Sequence, residues 1–174
     1  MAERIVNRDE DRSLMFVLTL LSAALYAIRI QATRILGFGD SEALYACYAL
    51  HPAPAYLDHP GLIGVIARAI GSGTAPSAYS AHTVTSLLCT AIPFLALGAS
   101  RALGATQRGA ILAAIAIAVT PEMAVGLFAM TPDLPLAIGW LGALACAGLA
   151  LRMDDDSLRT SGLYIAAGLL AGIA

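Results

Sequence analysis

Long apolar runs alternate with short polar breaks along this chain, and the runs lack the polar face that a water-exposed helix would carry. Residues 14–30, 82–99, 111–128 and 134–151 each come close to the roughly 20 mostly apolar residues that cross a bilayer core. A fifth apolar run starts near Leu163 and reaches the last residue, Ala174. The pattern predicts an all-α, polytopic transmembrane helical bundle of about five spans. Pro93 falls inside the second run, where a kink is tolerated. Thr120-Pro121-Glu122 offers an early stop to the third. Residues 1–13 read as a polar N-terminal tail. Residues 14–174 read as one membrane domain, expected to be the N-terminal part of a longer one and inactive alone.

The segment between the first two runs has a different pattern. Residues 31–81 hold half of the Pro and most of the His and Tyr of the chain. Residues 40–50 predict a short helix with Asp40 or Ser41 as N-cap. Its Leu44, Tyr45 and Tyr48 would form a stripe suited to lying in the membrane interface, where Tyr is common. Residues 61–70 predict a second apolar helix, opened by Pro60 and too short to span.

Composition agrees with the membrane reading: 59% of residues are hydrophobic and 13% charged, against roughly 25% charged in soluble domains. The net charge of −2 is small and says nothing about nucleic acid, but the sequence has no basic patch and no nucleic-acid motif, so no nucleic-acid partner is expected. The cysteines Cys47, Cys89 and Cys146 have no metal-ligand spacing and read as small apolar residues. The charged N-terminus with a long apolar run behind it is not a cleavable signal.

Arginine placement orients the chain. Arg4, Arg8 and Arg12 precede the first run, Arg101 and Arg108 follow the second, and Arg152 and Arg159 follow the fourth. The other side has Arg29, Arg34 and Arg68, spread over a long segment. A cytoplasmic N-terminus is therefore expected, as is an outer face built from the 31–81 segment and the turn at Pro132. Outside the tail and the 154–156 turn, five acids remain: Asp40, Glu42, Asp58, Glu122 and Asp133. All fall on that outer face. Acids at the edges of apolar spans are costly and tend to mark sites. Two loops converging there can hold a general base or a divalent metal.

Three strings carry a resemblance. They are Ser41-Glu42-Ala43-Leu44-Tyr45, Tyr56-Leu57-Asp58-His59-Pro60-Gly61 and Thr131-Pro132-Asp133-Leu134-Pro135-Leu136. In order and on one predicted face, they resemble the dolichyl-phosphate-mannose–protein mannosyltransferase superfamily. The likeness is greatest to its bacterial, aminoarabinose-transferase-like members, glycosyltransferases of the GT-C fold. It covers residues 14–174. It implies a membrane glycosyltransferase of the bacterial inner membrane with its active site on the periplasmic face. Such an enzyme moves a sugar, with inversion, from a polyprenyl-phosphate donor to a lipid, glycan or protein acceptor.

The resemblance also implies roles. The first-loop acid is the general base. The usual Asp is Ser41 in this chain, so either Asp40 or Glu42 takes its place, with Asp40 preferred. Asp133 matches a second active-site acid. Asp58 matches a position tied to a divalent metal or to the shape of the donor site. His59 is placed to orient the lipid phosphate or to cap the helix after Pro60. Tyr45 and Tyr56 are candidate substrate contacts and, more readily, interface anchors. His82 stands where the family often has an Arg facing phosphate; alone, it reads as a structural interface histidine. The readings set against the enzyme are an inactive truncated paralogue acting as a scaffold and a small-solute transporter fragment. A transporter predicts inverted repeats and midplane acids, and the sequence has neither.

Overall fold

A computed structural model describes residues 2–57, 59, 61–153 and 157–173, with the backbone alone for residues 2–8 and 124. Among the described residues the chain folds into eight α-helices: α1 (Ala2–Ala32), α2 (Asp40–Tyr48), α3 (Leu62–Ile70), α4 (Ala78–Ala102), α5 (Gln107–Ala118), α6 (Pro121–Ala124), α7 (Asp133–Ala150) and α8 (Leu158–Ile173). A 3-10 turn, Gly126–Phe128, lies between α6 and α7.

Three helices are long and apolar enough to cross a membrane: Asp9–Ala32 of α1, α4 and α7. They become four if α5 and the Pro121–Phe128 segment, bent by 66° at their junction, make one broken span. α8 is apolar but has only 16 residues. The expectation of an all-α membrane protein thus holds, while the described residues offer three spans, or up to four, against the five expected. The 1–13 segment is continuous with the first span from Ala2 onward rather than a separate unit. The acidic turn at 154–156 lies outside the described residues.

Local chemistry accounts for most helix boundaries. The Ser77 and Thr106 hydroxyls accept from the backbone N–H groups of Ser80 and Gly109, each at 3.1 Å, starting α4 and α5. The break in the third run sits where Thr120 caps a new helix, accepting from Met123 N, with Pro121 at its first position. The N-cap of α2 is Gly39, not Asp40 or Ser41. Asp40 is already helical, and the cap is closed from inside: Gly39 N–H donates to Glu42 Oε2 at 3.0 Å.

Packing runs α1 against α4 and α5, α4 against α5 and α7, and α7 against α8. At the crossing of α7 and α4, Gly148 lets the backbones touch; a Cβ there would stand 2.9 Å from the Ala102 carbonyl carbon. Small residues permit such approaches in a membrane, where dispersion and backbone proximity replace the hydrophobic drive.

α2 and α3 pack on each other and cover one end of the bundle. Tyr45, Ala46 and Ala49 of α2 form one core cluster with Ile63 and Ala67 of α3, Ala81 of α4 and Met130. This overturns the stripe expected on α2. Leu44 faces outward, but Tyr45 is 7% exposed and packs inward, because Ala46 and Ala49 put the small-residue face of α2 on the same side. Arg68 ties the pair by donating to Ala49 O at 2.9 Å.

The long-range polar contacts sort the charged residues by end. Arg108 pairs with Glu10, and Arg152 donates to Arg101 O. At the other end, Arg29 donates to Met123 O, and Glu42 meets His82 and Met130. Arg101, Arg108 and Arg152 on one side and Asp40 and Glu42 on the other therefore stand at opposite ends of the bundle.

Candidate functional site

The covered end contains a polar cleft of about 420 Å³. Ser41 and Tyr45 of α2, His59 of the following loop, and Thr131, Pro132, Asp133 and Leu136 at the start of α7 line it. Two of the three sequence strings thus meet at one wall, and the third contributes His59. Asp133 is the first residue of α7 and its side chain is exposed. The helix start presents a partial positive charge to the cleft.

His59 is half-buried, and its Nε2 stands 2.8 Å from Tyr45 Oη. The two rings meet edge to face with centroids 5.1 Å apart. Tyr56 is turned away from the cleft. It stacks on Tyr48 with centroids 3.7 Å apart, and its hydroxyl lies within hydrogen-bond reach of Tyr48 O and His51 O. Its ring lies over Gly64 of α3, at a place where any Cβ would collide with it. Tyr56 therefore shapes the loop that carries His59. Asp40 is exposed at the start of α2, outside the cleft lining. Asp58 lies outside the described residues. Among the described residues, no three His, Cys, Asp or Glu side chains gather as a metal-ligand set.

Glu42 is held differently from the other acids. It is 8% exposed and both carboxylate oxygens are engaged. Oε2 accepts from Gly39 N–H; Oε1 accepts from Met130 N–H at 2.8 Å and stands 2.7 Å from His82 Nε2. With Glu42 as acceptor, the imidazole carries its proton on Nε2. His82 is 1% exposed, flanked by Phe38 and Phe128, and among the described residues its Nδ1 has no partner. One carboxylate thus joins α2, α4 and the strand of chain leading into Thr131 and Asp133. Sequence reasoning weighed Glu42 and His82 as direct participants and did not anticipate their pairing across 40 residues.

On the other side of Thr131 lies an apolar groove of about 260 Å³ between α3, α4, α7 and α8. Leu62, Ile66, Leu88, Ile138 and Leu170 are among its walls. Thr131 lines both the groove and the cleft, whereas Asp133 lines the cleft alone.

Arg29, near the end of α1, is a further buried charge, 4% exposed. Its guanidinium donates to Met123 O, and Nη1 lies 3.5 Å from Thr90 Oγ1. A charged residue in an apolar helix was the available signal, and it points to structure: the arginine pins α1 to the break between α5 and α7. Comparison with protein-family models, with curated proteins and with solved structures gives no match.

Proposed function

We propose that the chain carries the acid-bearing part of a membrane glycosyltransferase site of the GT-C type. The donor is a sugar on a polyprenyl phosphate, and the acceptor is a hydroxyl of a lipid, glycan or protein on the non-cytoplasmic face. One observation carries the reading: a polar cleft whose acid, among the described residues, is the exposed Asp133 shares the wall residue Thr131 with a groove lined by apolar side chains. An amphiphile with a polar head and a long apolar tail matches that pair of spaces. Ligand sites of this kind are concave, mostly apolar and equipped with a few converging polar groups.

In this reading Asp133 is the base. The acceptor oxygen attacks the anomeric carbon as its proton passes to the Asp133 carboxylate. The bond from that carbon to the phosphate oxygen breaks, the electron pair leaves with polyprenyl phosphate, and configuration inverts. General-base assistance of this type contributes typically 10²–10⁴-fold in rate. Glu42, enclosed and fully bonded, acts by positioning the turn that carries Asp133. Asp40 remains a surface acid beside the cleft, within reach of the acceptor side. A metal at Asp58 is a secondary element of the proposal. The clustering of Arg101, Arg108 and Arg152 at the opposite end favours a cytoplasmic location for that end.

The test uses membranes containing the protein and a panel of polyprenyl-phosphate-linked sugars, with release of polyprenyl phosphate as the readout. Asp133→Asn should lower release by at least about a hundredfold at equal expression. Release that persists unchanged in Asp133→Asn sinks the assignment of the base, and no release from any donor by the wild type sinks the reading.

A further inference from the structure

Thr131 occupies an unusual position. Among the described residues it is the one common to the walls of the polar cleft and the apolar groove. Its Oγ1 is buried and, among the described residues, has no hydrogen-bond partner. A buried hydroxyl left without a partner forfeits its hydration with nothing in return, so native proteins leave few of them. Three neighbouring groups are satisfied by contrast: Met130 N–H goes to Glu42, Thr131 N–H donates to Ala129 O, and Thr85 Oγ1 bonds Phe128 O. Among the described residues Ser22 Oγ, His82 Nδ1 and Ser86 Oγ are buried without a partner as well, but of these four side chains Thr131 alone lines the groove and the cleft.

We propose that Thr131 is a head-group-reading residue: its hydroxyl donates to a phosphate oxygen of a membrane lipid at the point where the polar head joins the apolar tail. The inference rests on the reading given under Proposed function and adds to it the residue that distinguishes a phosphorylated lipid from an unphosphorylated one. The order of the walls supplies the argument. Moving from groove to cleft, the lining passes from Leu88 and Ile138 to Thr131 and then to Asp133. A lipid with its tail in the groove brings its first polar linkage to Thr131 Oγ1. Asp133 then faces whatever lies beyond that linkage, on the side away from the groove. This keeps the carboxylate off the phosphate, which it would repel, and next to the group attached to it. A hydroxyl suits the junction because it donates without carrying a charge into an apolar wall.

The experiment places the protein in lipid nanodiscs and titrates farnesyl phosphate and farnesol, which share a tail and differ in the head. Wild type should bind farnesyl phosphate at least about tenfold more tightly than farnesol, the range expected of a hydrogen bond to a charged group. Thr131→Val, nearly the same shape without the hydroxyl, should lose that preference while binding farnesol as before. Thr131→Ser should keep the preference. Equal binding of the two lipids by wild type, or a preference retained in Thr131→Val, overturns the proposal. Should Thr131→Val lose farnesol binding as well, Thr131→Ser decides: with the preference intact the hydroxyl is the reader, and without it the proposal fails. The two readings fail separately, because lipid discrimination is read from binding of farnesyl phosphate and farnesol with no sugar donor present, whereas sugar transfer is read from release of polyprenyl phosphate.

Discussion

The two ends of this bundle use the same ionisable residue types in opposite ways. At the end away from the cleft, Arg108 and Glu10 pair in the open, with side chains 55% and 47% exposed, and Arg12 stands 3.7 Å from an equally open Asp9. At the cleft end, Glu42 and His82 are enclosed, and both Glu42 oxygens are held by defined partners. Exposed pairs are worth about 0–1 kcal/mol because water and salt compete for them. An enclosed carboxylate has no such competitor, so losing one partner leaves the others buried and unpaired. Charge at one end stands in open pairs; charge at the other is enclosed among fixed partners.

The sharpest way to break this comparison is Glu42→Ala. Removing the carboxylate orphans the Met130 amide and the His82 imidazole together. It should cost about 3–5 kcal/mol of stability, measured as a shift in the denaturation midpoint in mixed micelles. A change below about 1 kcal/mol would erase the distinction between the ends. Next in size is Gly148→Val, which forces a branched side chain into the contact of α7 with the Ala102 backbone. It should cost about 1–3 kcal/mol in the same measurement and would show that the charged end is held by close packing rather than by its ion pairs. The smallest expected effect is Glu10→Ala, at about 1 kcal/mol or less. A loss as large as that of Glu42→Ala would mean that the open pair is as structural as the enclosed one.

Much of this was legible in the pattern of apolar runs. The first, second and fourth runs became α1, α4 and α7 because an apolar stretch of that length has few other ways to satisfy its backbone in a bilayer. Arginine placement anticipated which residues share an end. The convergence of Ser41, His59 and Asp133 on one cleft was legible only through the order of the three strings, since no local rule brings residues 41 and 133 together.

Three features were hidden for physical reasons. The inward turn of Tyr45 depends on Ala46 and Ala49 making the small face of α2 the packing face, which periodicity alone does not reveal. The Glu42–His82 pair spans 40 residues and two helices. The role of Gly39 as N-cap was hidden because a glycine offers no capping side chain, and the reciprocal bond comes from Glu42. Thr131 stood inside a quoted string, but only the junction of two cavities gives its hydroxyl a meaning.

Arg29 bears on the order in which the protein is made. Its partner carbonyl on Met123 lies 94 residues further along the chain. When α1 leaves the ribosome and enters the bilayer, that carbonyl does not yet exist. During that interval the guanidinium has to reach the headgroup layer by extending its own aliphatic stem. Only the arrival of the segment after α5 draws it inward. The contact that pins this end of α1 therefore depends on residues translated well after it.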